Sequence, residues 1–261
     1  MLNLTPVVKV LIIINVAVYF LSEYVFDLNM LFALRYFESP LFYPWQYFTY
    51  MFAHGGFMHI FFNMFGLFMF GPMLEQYFGS KRFLIFYIVC GVGAGLIYTG
   101  ITYFEVANMK GAAQAYLENP TPTKFSSFIR TYAPSLFSDI REWLVTFKDN
   151  PTDPGMIVQS EQFVNSIWER KISVPMVGAS GAIFGILMGF GLLFPNVEMF
   201  LLFLPIPIKA KYFVLFYGAY ELYAGMNRTP GDNVAHFAHL GGMLFAFILI
   251  KIWQKNNYRE Y

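Results

Sequence analysis

The stretch Gly178-Ala179-Ser180-Gly181-Ala182-Ile183-Phe184-Gly185 opens an apolar segment that runs on to about Phe194. So many small residues at the head of a membrane helix need a cause. Gly181 and Gly185 lie four residues apart, so they share one helical face and let a second helix come close. Ser180 stands near the helix N-terminus, where the first backbone N–H groups have no partner within the helix. A hydroxyl beside exposed donors suits acyl transfer, provided that a base can reach it. The same residues also describe a packing surface with Ser180 bonded locally. On this stretch alone, packing is the stronger reading.

Composition sets the class. The chain has 261 residues, of which 57% are hydrophobic, 21% aromatic and 13% charged, with mean hydropathy +0.50. Soluble domains carry about 25% charged residues, so this chain lacks the polar surface to cover itself in water. Several apolar runs approach the ~20 residues that cross a bilayer. The fold class expected is an all-α polytopic membrane protein. A net charge of +1 argues against a nucleic-acid or strongly acidic partner. The single cysteine, Cys90, lies inside an apolar run, so no internal disulfide framework is expected. The first apolar run has no small-residue cleavage site after it and reads as a retained helix.

Six spans are expected in order. They cover about Val7–Leu21, Phe57–Tyr77, Phe83–Tyr103, Val177–Phe194, Tyr212–Tyr223 and Val234–Trp253. Between the first two lies a polar-aromatic stretch of the kind that settles at the bilayer interface. Gly79 is placed to end the second helix. From Glu105 to Ser173 the chain turns charged and proline-bearing, and it reads as a soluble insertion with amphipathic helices. One of these is expected around Phe125–Phe147, lying on the membrane or packed on its own neighbours. Pro195–Lys211 reads as a hydrophobic connector that bends at the membrane face. The turn Asn227–Asn233 and a charged tail complete the chain. The organisation expected is a membrane core over 1–104 and 174–253, an extracytoplasmic insertion over 105–173, and a cytoplasmic tail over 254–261.

Basic residues orient this bundle. Lys9, Lys81, Arg82, Lys209, Lys211, Lys251, Lys255 and Arg259 fall on the side of both termini, against Arg35 and Arg228 in the short opposite connections. The positive-inside rule then puts both termini in the cytoplasm. Helices two, four and six all enter from the outer side.

All four histidines fall at two of those outer ends: His54 and His59 at helix two, His236 and His239 at helix six. Ionisable groups inside a membrane are costly and are functional candidates by default. Gly242 and Ala246 give helix six its own small face, so helices four and six can touch and bring His239 to Ser180. That pair offers a nucleophile and a general base. His59 and Asn63, at i and i+4, can donate to a developing oxyanion beside the Ser180 backbone N–H. His236 is read as orienting the loop, and Asp232 as a turn aspartate or a third triad member. Glu75, at the inner end of helix two, is read as organising the cytoplasmic loop. Four histidines could instead ligate a metal. No His-Glu-x-x-His run or neighbouring carboxylate supports that, and no metal or other cofactor is expected. The soluble-hydrolase Gly-x-Ser-x-Gly elbow does not match, because residue 182 is alanine.

Three ordered motifs, His54-x4-His59-x3-Asn63, Gly178-Ala179-Ser180-Gly181 and Ala238-His239-x2-Gly242, make the chain resemble the rhomboid family of intramembrane serine proteases. The resemblance covers nearly everything outside the insertion. It implies a six-helix bundle and a Ser180–His239 dyad, with His59, Asn63 and the Ser180 amide as oxyanion hole. His54, Gly178, Gly181 and Gly242 are implied in support, with Phe184 packed against His239. The implied function is cleavage of membrane-anchored protein substrates near the outer leaflet, with small residues at the scissile position. The lipid bilayer is the other partner, and a bacterial inner membrane the expected location. Two features depart from the family pattern: Trp45-Gln46 stands where Trp-Arg is common, and the link between helices three and four is long. A non-catalytic relative that binds client helices and a proton-relay transporter are the rival readings. The first predicts loss of the serine or histidine, and the second predicts polar residues at both leaflets.

Overall fold

The computed structural model describes residues 4–201, 204–227, 232 and 234–257. Its helices are α1 (Pro6–Tyr24), α2 (Asn29–Phe32), α3 (Gln46–Thr49), α4 (Phe57–Phe78), α5 (Ser80–Leu117), α6 (Pro122–Tyr132), α7 (Arg141–Asp149), α8 (Pro154–Ile172), α9 (Ser180–Leu193), α10 (Ala210–Met226) and α11 (His236–Asn257). The molecule is an all-α polytopic membrane protein, with one small strand pair among the described residues. Among the described residues, α1, α4, α5 and α11 are long and apolar enough to cross a membrane. Helix α9 is apolar but has 14 residues. At ~1.5 Å per residue that is about 21 Å, short of a ~30 Å hydrocarbon core.

Several boundaries differ from expectation for local reasons. Helix α9 starts at Ser180 rather than Val177, because Gly178 has φ +119°, a backbone setting that no helix contains. Helix α5 runs for 38 residues, about 57 Å, well past Tyr103. The connector over Pro195–Lys211 is in part an antiparallel pair, β1 (Glu198–Leu201) with β2 (Leu204–Lys209), in register Glu198 to Lys209 and Leu201 to Leu204. The helix expected over Phe125–Phe147 is broken. Pro134 ends α6 and opens a single 3₁₀ turn before α7, since proline cannot donate the helical bond. Gly79 does close α4, with φ +77° and its N–H on the Glu75 carbonyl. Residues 228–231 and 233, which hold most of the expected turn and Arg228, lie outside the described residues, as does Arg259 in the tail.

The chain divides into two compact units. The first takes in residues up to Leu34, Tyr43–Thr99, and everything from Pro175 onward. In it, α9 packs on α11, α4 and α10, and α1 packs on α4. Glycines set the α9–α11 distance: a Cβ added at Gly242 would sit 1.9 Å from the Gly181 carbonyl oxygen, and one at Gly185 would sit 3.1 Å from the Gly242 carbonyl oxygen. The backbones touch, as small-residue faces allow in lipid.

Glu75 proves to organise the start of α1. Its carboxylate accepts from the Thr5 hydroxyl, from the Val7 and Val8 amides at 3.0 Å each, and from Ser80 Oγ at 2.6 Å. Buried at 2% exposure, it satisfies N–H groups that α1 leaves open. Glu75→Ala is expected to lower stability by about 2–4 kcal/mol, since it orphans several charge-assisted donors at once. Denaturation in detergent micelles measures this, and an unchanged midpoint would show that α1 does not need the cap.

The second unit comprises Arg35–Phe42 and Gly100–Val174. Its amphipathic faces pack on one another: Tyr116, Phe125, Phe128, Ile129, Leu144, Phe147 and Val164 form a shared core. The stripe on this segment is therefore core, which settles a choice that periodicity leaves open.

Candidate functional site

The starts of α4, α9 and α11 converge on Ser180. Ser180 is the first residue of α9, and its hydroxyl lies 2.9 Å from His239 Nε2 on α11. The glycine contact between the two helices makes this reach possible. Phe184, one turn along α9, stacks on the His239 ring with centroids 4.1 Å apart and planes 5° from parallel. Tyr217 of α10 packs behind Phe184 at 4.9 Å. The imidazole is thus held flat with its edge toward Ser180.

Helix α4 supplies the donors. The Gly55 N–H lies 3.3 Å from His59 Nδ1 and donates to it, so the neutral ring carries its proton on Nε2. That nitrogen is aimed at Gly178, where an added Cβ would lie 2.6 Å from it. Asn63, one turn on, spends one amide hydrogen on the His59 carbonyl at 3.0 Å, and its nitrogen is 3.7 Å from the same point. Its second amide hydrogen is available. Gly178 itself is pinned by its N–H to the Tyr50 carbonyl at 3.0 Å, and Tyr50 Oη donates to the Gly91 carbonyl of α5 at 2.6 Å. Only glycine accepts both the positive φ and the imidazole at this distance.

His54 lies behind His59, ring to ring at 5.2 Å, and its Nδ1–H is 3.4 Å from the Phe52 carbonyl. Burial pushes its pKa down to about 3, so it is neutral at physiological pH. Gly181 also sits in close contact: a Cβ there would lie 2.4 Å from the Ala94 side chain of α5.

The structure adds a residue that the sequence reading lacks. Glu221 of α10, 3% exposed, places Oε2 2.9 Å from His239 Nδ1 and 2.6 Å from His236 Nδ1. His236 Nε2 in turn meets Asp232 Oδ2 at 3.0 Å. Asp232 also caps the local turn by accepting from the Val234 N–H at 3.0 Å. Asp232 therefore touches His236 and not His239, and Glu221 holds the position that a triad acid would take. Glu221 is 15 and 18 residues away from the two histidines in sequence, so no local spacing announces it. A lone glutamate inside the apolar run of α10 is the signal that could have found it.

Glu221, His236 and His239 offer ligand atoms within 4.8 Å of one another and could hold a cation in principle. Those same atoms already satisfy each other as hydrogen-bond donors and acceptors.

A Rhomboid domain model matches residues 42–116 and 153–255, more than half of the chain. The chain belongs to the rhomboid family. The match skips 117–152, an interval narrower than the insertion expected over 105–173. This rhomboid is 26% identical, over 220 residues, to an uncharacterised mitochondrial rhomboid protein of Schizosaccharomyces pombe, covering 82% of this chain and 52% of that protein. It is 26% identical over 107 residues to the rhomboid protease GlpG of Haemophilus influenzae, covering 39% of this chain and 56% of the relative. It is 38% identical over 53 residues to the mitochondrial RHOMBOID-like protein 6 of Arabidopsis thaliana, covering 20% and 17%. The chain spans about half the length of the first two of these relatives. Because the relatives are mitochondrial as well as bacterial, the expected bacterial inner membrane has no support. A multi-pass membrane protein is what the helices show.

Proposed function

We propose that this rhomboid is an intramembrane serine endopeptidase that cuts membrane-anchored proteins near one end of their spans. The observation that carries the reading is the 2.9 Å contact between Ser180 Oγ and His239 Nε2, with Phe184 stacked on the imidazole. In this reading His239 Nε2 takes the hydroxyl proton as Ser180 Oγ attacks the scissile carbonyl. The oxyanion forms among His59 Nε2–H, the free Asn63 amide hydrogen and the Ser180 backbone N–H. His239 then gives its proton to the leaving amine, which departs and leaves an acyl-enzyme on Ser180. Water, deprotonated by His239, attacks the ester, and the serine recovers its proton as the acid product leaves. No cofactor enters any step.

The short helix α9 supports the location of this chemistry. With its far end at one interface, Ser180 begins about 9 Å inside the other edge of a ~30 Å core. Irregular backbone such as 173–179 is tolerated at that depth only where protein or a water-filled cavity surrounds it. A single-span substrate whose helix opens near that level would present its backbone to Ser180. From the distribution of basic residues, 105–173 are read as extracytoplasmic and both termini as cytoplasmic.

A fluorophosphonate probe tests the nucleophile directly. The wild-type protein in detergent is expected to become labelled on Ser180, identified by mass spectrometry of the modified peptide, and Ser180→Ala is expected to stay unlabelled. A folded wild-type protein that never reacts would favour a non-catalytic client-binding role.

A further inference from the structure

We infer that Glu221 completes a Ser180–His239–Glu221 triad, in which Asp232 and His236 form a charge-compensated support for the carboxylate. The inference rests on the protease reading above and extends the expected dyad by a positioning residue on a third helix.

An ionised carboxylate only accepts hydrogen bonds. Glu221 Oε2, at 2.9 Å from His239 Nδ1, therefore fixes the proton of His239 on Nδ1. The Nε2 lone pair is then left facing the Ser180 hydroxyl 2.9 Å away, which is the tautomer a general base needs. When His239 takes the serine proton, the imidazolium forms against an anion already in place. No reorganisation is needed.

A buried carboxylate of this kind is expensive unless it is paired. His236 pairs it. Its two ring nitrogens face two carboxylates, Glu221 at 2.6 Å and Asp232 at 3.0 Å. Both can be satisfied only if His236 donates from both nitrogens, as an imidazolium. The chain of charges is then Asp232 negative, His236 positive, Glu221 negative and His239 neutral. When His239 is protonated, a second positive ring meets Glu221 Oε2 at 2.9 Å, beside His236 at 2.6 Å, so the carboxylate faces the charge that catalysis passes through. Among the described residues, Tyr217 and Tyr220 of α10 and His59 of α4 also face this chain.

The test compares Glu221→Gln with wild type, using fluorophosphonate labelling rates and cleavage of a tagged single-span protein in liposomes across pH 5 to 9. A glutamine amide can donate to Nδ1, which moves the histidine proton to Nε2 and blocks the base. The expected result is a fall in kcat of about 10²–10⁴-fold with little change in KM. The pH profile of the residual activity is expected to differ from that of wild type, because the anion beside Nδ1 is gone. Glu221→Asp is expected to recover part of the rate. A merely structural glutamate would lose activity in step with folded protein and leave the pH profile in place, which would overturn the inference. Should Glu221→Gln fail to fold, ¹⁵N-histidine NMR of Ser180→Ala protein, with Glu221 intact, decides the matter. A proton on Nδ1 of His239 upholds the triad, while a proton on Nε2, or a bound cation in its stead, overturns it. If Ser180→Ala labels as fast as wild type, the protease reading itself fails and the triad falls with it. If labelling requires Ser180 but Glu221→Gln matches wild type in rate and pH profile, the triad alone fails.

Discussion

Ser180→Ala and His239→Ala should each reduce cleavage of a single-span substrate in liposomes by about 10⁵–10⁶-fold, and the double mutant should lose no more. The non-additivity is the informative part. Ser180 Oγ and His239 Nε2 share one hydrogen bond at 2.9 Å, so removing either atom removes the same proton transfer. His59 and Asn63 lie on α4, a different helix, and their donors survive both substitutions. Residual turnover above the uncatalysed rate is therefore expected to persist in the double mutant and to fall further when Asn63 is also replaced by alanine. Losses that simply multiplied in the double mutant would mean that the two groups act in separate steps. Cleavage that survives both single mutants would remove the serine mechanism altogether.

The second large effect is expected at Gly242, a residue that touches no substrate. A Cβ there would lie 1.9 Å from the Gly181 carbonyl oxygen, which is backbone and cannot rotate away. Gly242→Val therefore has to push α11 off α9. Displacing His239 by even ~1 Å from Ser180 is enough to cost about 10²-fold in rate. Since α9 and α11 also anchor α4 and α10 around the site, Gly242→Val is expected to destabilise the fold by roughly 3 kcal/mol or more, the range of severe overpacking. Labelling rate and thermal midpoint should fall together. A Gly242→Val protein that labels at the wild-type rate would show that α11 can move without carrying His239 with it. Gly100, by contrast, has no atom within 4 Å of an added Cβ, so Gly100→Ala serves as the control for a glycine in an α-helix.

How far the site is legible in sequence depends on the range over which each signal acts. His59 and Asn63 are four residues apart on one helix, so helical geometry alone puts them on one face. Ser180 and His239 are 59 residues apart, yet the small residues around each announce two helices that can touch. Glu221 carries no such local mark. It is brought to His239 because α10 packs against both α9 and α11, and nothing in its own neighbourhood predicts that meeting. His236 has its meaning changed for the same reason: beside Asp232 it reads as a loop residue, and beside Glu221 it becomes the counter-ion of a buried carboxylate.

The amino-acid sequence by itself determined that the chain lives in a membrane, because apolar length and the scarcity of charge leave no other solvent for it. It also put His59 and Asn63 on one helix face and marked two small-faced helices that can touch, through spacings set by the helix repeat. Only the tertiary structure decided that α9 begins at Ser180, where the positive φ of Gly178 stops the helix. It alone decided that the stripe over Phe125–Phe147 is broken at Pro134 and buried against its neighbours. It alone decided that the acid behind His239 comes from α10. Periodicity reports which face of a segment is apolar, but only packing reports what that face meets.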